Sequence, residues 1–125
     1  MLYNVIRVLI TPFLYMYMLV NKEKKEFFYK RIKQNLDILK KEKYIWVHCS
    51  SVGEVNLSEA LVKKILSERK ERILLTVMTD TGMGTAKEKY KNNERVDILY
   101  FPLDDKNVIK NILERIEMKI LILIE

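Results

Sequence analysis

The sequence predicts an α/β domain built on a parallel sheet, and the pattern of apolar residues is the main reason. Four short apolar runs alternate with three segments whose apolar residues recur at helical spacing, and the connections between them are short. Continuous apolar runs are typical of parallel strands that helices cover on both faces. The βαβαβαβ order therefore predicts right-handed crossovers and a Rossmann-like layout.

Each element has its own signal in the chain. The predicted strands are Tyr44–His48, Ile73–Thr79, Val96–Phe101 and Ile120–Ile124. The predicted helices are Val55–Arg69, Thr81–Lys91 and a segment that runs to Ile116 from an N-cap at Asp104 or Asp105. In the first helix we expect Leu57 to face inward with Leu61, Ile65 and Leu66. We expect the last strand to be buried and, because Glu125 ends the chain directly after it, the chain to be the N-terminal piece of a longer protein.

The segment before the first strand joins apolar and basic sequence. Residues 1–20 are largely Leu, Ile, Val, Met, Tyr and Phe, and nine basic residues against four acidic ones follow between Lys22 and Lys43. Most of the formal net charge of +6 therefore lies in this block. An apolar helix with a cationic C-terminal flank predicts membrane association on the cytoplasmic side. We accordingly divide the chain into residues 1–43, an anchor with a basic segment, and residues 44–125, the Rossmann-like domain.

Other interpretations of this segment remain open. Asn4, Arg7 and Thr11 share one narrow helical stripe, which favours an interfacial helix, or one packed on its own domain, over a membrane span. A secretory signal peptide is disfavoured, since Leu19-Val20-Asn21 offers no small-residue cleavage site. A buried core helix fits poorly beside so many lysines. Nucleic acid would also be attracted by the basic block, but no stacking aromatic pattern accompanies it, so anionic lipid is the expected partner.

Composition narrows the chemistry. Cys49 is the single cysteine and His48 the single histidine, which excludes a disulfide framework and a zinc site built from soft ligands within this chain. No G-x-G-x-x-G fingerprint is present, so a nicotinamide or flavin cofactor is not indicated. We expect neither a metal nor a cofactor.

The loops after the predicted strands hold the candidate site. In the first, Gly53 allows a backbone turn or the close approach of a ligand, and Glu54 lies at a helix N-terminus that favours its charge. In the second, the hydroxyls and glycines of residues 79–84 suit a phosphate or sugar oxygen. Each loop also has a purely structural interpretation, as a helix-start glutamate and as an N-cap with a turn. Glu125 closes the fourth strand.

The sequence motifs of these loops resemble those of the transferases of 3-deoxy-D-manno-octulosonic acid (Kdo). The matching positions, in family order, are His48, Ser51, Val52, Gly53 and Glu54, then Thr79, Thr81 and Gly82, then Tyr100, Pro102 and Asp104, and finally Glu125. The family also begins with an apolar membrane-associated helix followed by basic residues. The motif around Glu54 is fairly specific, whereas the others gain weight from their order.

The resemblance implies the N-terminal half of a two-domain GT-B glycosyltransferase at the cytoplasmic side of the inner membrane. Such an enzyme transfers Kdo from CMP-Kdo to the lipid A precursor by an inverting, metal-independent displacement. Glu54 matches the family's proposed catalytic base. The substrate-binding positions implied in this sequence are Ser51, Gly53, Thr79, Thr81, Gly82 and Glu125.

Two other functions remain open from the sequence. One is a membrane-tethered Rossmann-like binding module without catalysis, because half of a GT-B cleft cannot hold both substrates. The other is a GT-B enzyme that acts on another lipid-linked acceptor.

Overall fold

The structure is a computed structural model that describes residues 1–20, 22–102 and 106–125, with the backbone alone at 17–20, 22 and 24. Its helices are α1 (Leu2–Val20), α2 (Lys22–Ile32), a 3-10 turn (Leu36–Ile38), α3 (Val52–Glu68), α4 (Asp80–Tyr90) and α5 (Lys106–Arg115). Its strands are β1 (Lys43–Cys49), β2 (Arg72–Val77), β3 (Val96–Tyr100) and β4 (Glu117–Ile124). Asp104 and Asp105, the predicted caps of α5, lie outside the described residues.

All strand pairs are parallel, and the sheet order is β3-β2-β1-β4. Side chains alternate between the two faces of β1. Ile45, Val47 and Cys49 belong to the core cluster that contains Val55 and Val62 of α3, whereas Tyr44 and Trp46 belong to a second cluster with Ile112 of α5. The sheet therefore lies between helical layers, and the predicted α/β, Rossmann-like class is confirmed.

Strand β4 is not the buried strand that its apolar sequence predicts. It lies at the edge of the sheet, with β1 as its neighbour, and most of its side chains are exposed; Leu123, for example, is 56% exposed. The strand also begins at Glu117, three residues before the predicted start. The apolar sequence correctly predicts a strand here. Its exposure depends on the crossover from β3, which places β4 at the edge of the sheet on the far side of β1.

The inward face of α3 also differs from the prediction. The helix begins at Val52, and its buried residues are Val55, Ser58, Val62 and Ile65. Leu57 is 71% exposed, so its predicted place in the core is wrong. The buried stripe instead passes through Ser58, whose hydroxyl donates to the Val55 carbonyl at 2.8 Å and so has a hydrogen bond despite burial.

Helix α1 leaves its large apolar side chains exposed. Leu2 and Phe13 are 74% and 71% exposed, and neither core cluster includes a described side chain of α1. Arg7 and Thr11 are only half-exposed, and the Thr11 hydroxyl donates to the Arg7 carbonyl at 2.6 Å. Within the described ranges, no helix is both long enough and apolar enough to cross a membrane.

Helix α2 and the segment after it contact the α/β domain through two polar side chains, Arg31 and Gln34. Arg31 is only 1% exposed and donates to the carbonyls of Phe27 and Met78, the latter just after β2. The Gln34 amide exchanges two hydrogen bonds with the backbone of Tyr100, at 2.8 and 2.9 Å, and so extends the edge of β3. The predicted boundary at residues 43 and 44 remains a prediction, although these contacts cross it.

Candidate functional site at the carboxyl end of the sheet

The candidate site lies where the strand order reverses. From β1 the chain runs outward through β2 to β3, and it then crosses back to place β4 on the other side of β1. Open α/β sheets bind ligands in the crevice at such a switch point, outside the carboxyl ends of the strands. Here the switch point lies between the β1–α3 loop and the end of β4, a position that the strand order defines.

Glu54 is held at this edge by the start of α3. Ser51 is the N-cap residue and Glu54 is the third residue of the helix, the spacing of a capping box. The Ser51 backbone N–H donates to Glu54 Oε2 at 3.0 Å, and the Ser51 hydroxyl donates to the same oxygen. Oε1 is therefore the carboxylate oxygen that Ser51 does not engage.

The same contacts set the charge of Glu54. Hydrogen bonding from Ser51 lowers the pKa of the Glu54 carboxyl below its ordinary value. Hydrogen bonds to the charged form favour it, and the positive end of the α3 dipole acts in the same direction. Glu54 is thus an ionised, half-buried carboxylate with one oxygen anchored.

Gly82 lies where the second predicted loop meets the first. A Cβ at Gly82 would lie 2.9 Å from Thr79 Oγ1 and 3.5 Å from the Ser51 carbonyl carbon. Thr79 caps α4, and its hydroxyl oxygen accepts from the Gly82 N–H at 3.0 Å. The Met78 N–H also donates to the Ser50 carbonyl at 3.1 Å. The lack of a side chain at Gly82 therefore leaves room for the capping hydroxyl of Thr79, whereas the Ser51 backbone would lie at ordinary contact distance from a Cβ.

The other predicted site residues have weaker structural support. Gly53 has no positive φ, lies inside α3, and has only Ser51 Oγ, at 4.0 Å, near a built Cβ, so the backbone there forms no turn that requires glycine. The close approach of a ligand to Gly53 stays a prediction. Thr81 is exposed, and its hydroxyl lies 3.4 Å from that of Thr79. Glu125 follows Ile124, the register partner of Cys49, so it reaches the same edge from β4. Asp104 lies outside the described residues.

Two features near the site were not among the predicted substrate-binding or catalytic residues. One is a cluster beside the second loop, in which Asp80 accepts from the Tyr100 hydroxyl at 2.6 Å and from Lys30 at 3.4 Å. The Tyr100 hydrogen bond lowers the pKa of Asp80. The other is His48, whose place near the end of β1 and in the family motif was a usable signal. Arg31 had no such signal, since its sequence context is simply basic.

The described residues contain no group of three or more His, Cys, Asp or Glu side chains arranged to hold a metal ion. The polar groups at this edge are instead a carboxylate, hydroxyls and helix N-termini, which are suited to hydrogen bonding with sugar and phosphate oxygens. The fold and the site together define a Rossmann-like domain whose switch point is where open α/β sheets bind their ligands.

Comparison with known proteins gives the family. Residues 23–125 match the model of the family described as 3-deoxy-D-manno-octulosonic-acid transferase (kdotransferase), so the chain belongs to that family and the resemblance is confirmed. A protein of Fusobacterium nucleatum named bifunctional glycosyltransferase/methyltransferase is 52% identical over 105 residues. That alignment covers 83% of this chain and 16% of the relative. No solved structure matches the chain.

Proposed function

We propose that this chain is the acceptor-side part of a glycosyltransferase that moves Kdo from CMP-Kdo to the lipid A precursor. The observation that carries the proposal is the position of Glu54, an anchored carboxylate at the start of α3 and at the switch point of the sheet. Membership of the Kdo transferase family supports the sugar donor and the glycolipid acceptor.

Glu54 acts as the general base. Oε1 accepts the proton of the acceptor sugar hydroxyl, and the hydroxyl oxygen forms a bond to the anomeric carbon of Kdo from the face opposite the leaving group. The bond between that carbon and the phosphate oxygen breaks, and CMP departs with the electron pair. An ionised carboxylate is the required starting state, and the Ser51 hydrogen bonds stabilise this form and hold one of its oxygens in place.

The loops around Glu54 position the sugars. The backbone at the start of α4 and the Thr81 hydroxyl bind substrate oxygens, while Thr79 holds the turn through its bond to Gly82. Glu125 approaches from β4 on the other side of the crevice, and Ser51 and Gly53 line it beside Glu54. This assignment makes Thr79 and Ser51 residues with a double role, as helix caps and as parts of the binding surface.

The donor is bound mainly by a second domain, in the GT-B manner. This assignment rests on the family, and it agrees with the fact that the chain spans only 16% of the length of its Fusobacterium relative. Closure of two domains over Glu54 excludes the water that otherwise hydrolyses the donor.

Helix α1 attaches the enzyme to the cytoplasmic face of the inner membrane, lying in the interface. Exposed apolar side chains extend from Leu2 to Met16, and contiguous exposed apolar surface of this kind marks an interaction site. The basic block that follows adds attraction to anionic lipid, and two such signals together give stable attachment. The acyl chains of the acceptor then stay in the bilayer while its sugars reach the crevice.

The proposal is tested with the full-length protein that contains this chain, incubated with CMP-Kdo and with lipid A precursor in liposomes. We expect a glycolipid product whose mass has increased by one or more Kdo residues. Transfer to a different lipid-linked acceptor would replace the proposed specificity. Absence of transfer to any glycolipid, by a folded protein that binds liposomes, would favour a binding module without catalysis.

A further inference from the structure

His48 lies near the carboxyl end of β1, beside the candidate site, and has no role in the mechanism above. It is the penultimate residue of β1 and shares a strand face with Tyr44 and Trp46, the face that α5 covers. Its register partner on β4 is Leu123, so the imidazole lies on the two strands that form the switch point. The residue is half-buried, whereas the side chains of Tyr44 and Trp46 below it are buried.

Two neighbours fix the orientation of the ring. His48 Nδ1 lies 3.0 Å from the hydroxyl oxygen of Thr76 on β2. The ring of Phe101 packs on the imidazole with a centroid distance of 4.2 Å and an interplanar angle of 48°. An imidazole held at one nitrogen and along one face presents its remaining nitrogen in a constant direction, which is the property of a preorganised site residue.

A proton count at Thr76 favours one of the two neutral tautomers of His48. Thr76 is fully buried, and its hydroxyl oxygen already accepts from Trp46 Nε1 at 2.8 Å. The indole nitrogen only donates, so the one hydroxyl proton of Thr76 needs another acceptor. Among the described residues, His48 Nδ1 is the acceptor available to it. A neutral imidazole that accepts at Nδ1 carries its proton at Nε2, and burial lowers the pKa of His48, which favours the neutral form.

His48 Nε2 is free to meet a ligand. Within the described part of the chain it forms no hydrogen bond, and it is not among the buried side-chain atoms that lack a partner. Since the residue is only half-buried, Nε2 is open to water at the carboxyl edge, on the far side of the ring from buried Thr76. The imidazole is thus hydrogen-bonded to the protein at Nδ1, and its Nε2 can form a hydrogen bond with a ligand on the solvent side.

We propose that His48 is a further substrate-binding residue, whose Nε2–H donates a hydrogen bond to a sugar oxygen of the substrate beside Glu54. The chemistry requires an oxygen that accepts, either a ring or hydroxyl oxygen of the acceptor sugar or the carboxylate of the donor sugar. The proposal rests on the proposed function for the identity of the sugars. The location of the group rests only on β1, Thr76 and Phe101.

Two substitutions separate binding from a merely structural role. His48→Asn keeps an amide oxygen where Nδ1 lies, so it preserves the bond with Thr76 and removes the outer donor. His48→Gln reaches as far as Nε2 and keeps an N–H donor there, while it gives up the Thr76 contact. A structural role predicts that the Asn variant is the less damaged of the two, whereas a substrate-binding role predicts the opposite order.

The measurement is the steady-state KM of each substrate, together with equilibrium binding of acceptor and donor, in the full-length protein in liposomes. We expect His48→Asn to lower the affinity for one substrate by about 3- to 10-fold, which is the size of one lost neutral hydrogen bond. We expect His48→Gln to keep most of the wild-type affinity. The substrate whose affinity falls, acceptor or donor, is the one that carries the accepting oxygen.

Equal affinities in the wild type and His48→Asn, or better retention in His48→Asn than in His48→Gln, would overturn the proposal. The binding measurement does not depend on turnover, so it decides the role of His48 even if Glu54 proves not to be the base. Lack of substrate binding by the wild type would overturn both assignments.

Discussion

Gly82 offers the most sensitive structural test of the site, because its missing side chain leaves room for the Thr79 hydroxyl that caps α4. Gly82→Ala would place a Cβ 2.9 Å from Thr79 Oγ1, closer than ordinary van der Waals contact, with the Ser51 backbone at 3.5 Å and Val77 Cβ at 3.6 Å. Threonine is β-branched and its Oγ1 is already bonded to the Gly82 N–H, so it cannot move away without losing the cap.

The expected magnitude follows from these contacts. Loss of an N-cap bond costs about 1 kcal/mol, and overpacking of a close contact costs about 1–3 kcal/mol. The better helix propensity of alanine returns up to about 1 kcal/mol. With the full gain in helix propensity subtracted, we expect Gly82→Ala to lower the free energy of unfolding by about 1–3 kcal/mol.

Gly84 is the matched control on the same helix. Nothing lies within 4 Å of a Cβ built there, and none of the described glycines has a positive φ. Gly84→Ala should therefore raise the free energy of unfolding by up to about 1 kcal/mol. Chemical denaturation followed by the fluorescence of Trp46, the single tryptophan of the chain, measures both.

A double-mutant cycle then identifies the cause. Thr79→Ala removes the oxygen that the new Cβ meets, so Gly82→Ala should cost less in that background than alone. Equal effects of the two glycine substitutions, or an unchanged cost of Gly82→Ala after Thr79→Ala, would refute the argument that the Thr79 cap requires glycine at position 82.

Three further predictions follow from the proposed function. Ser51→Ala should move the acid limb of the pH–rate profile to higher pH, because the hydroxyl bond that lowers the pKa of Glu54 is lost; an unmoved limb would contradict this cause. Removal of residues 1–20 should abolish or strongly weaken co-flotation of the full-length protein with anionic liposomes, and equal flotation would show that α1 is not the anchor. The 125-residue chain alone should lack transferase activity, and CMP-Kdo should leave its melting temperature unchanged; a saturable increase would assign more of the donor site to this domain.

The sequence predicted the elements of the fold better than their arrangement. The alternation of apolar runs and helical periods located every strand, because local patterning reports which residues can be buried. It did not report the order of the strands. The run Ile120–Ile124 is as apolar as a central strand, yet β4 is an edge strand because the last crossover passes back over β1. The same unpredicted order creates the switch point.

The candidate site shows a similar division. The motif predicted Glu54 and the α4 loop, and the structure brings Ser51, Glu54 and Gly82 to one edge. Spacing alone did not distinguish Gly53, where a Cβ has space, from Gly82, where a Cβ would crowd the Thr79 hydroxyl, since that difference arises from the folded conformation of the loop. Arg31 is a comparable case, because its burial depends on a carbonyl that lies far away in the chain.

The central claim is that Glu54 removes a proton in the transfer reaction, and the rate of Glu54→Gln in the full-length protein tests it most directly. The matched control is Glu59→Gln on the same helix, where the carboxylate only pairs with Lys63 and Lys89 at 2.9 and 2.8 Å. Both changes replace a carboxylate by an amide of nearly the same shape, so folding and liposome binding should be retained in each.

We expect Glu54→Gln to lower kcat by about 10²- to 10⁴-fold, the contribution of a general base, and Glu59→Gln to leave kcat within about 2-fold of the wild type. A Glu54→Gln variant that binds liposomes and turns over at the wild-type rate would contradict the assignment of Glu54 as the base.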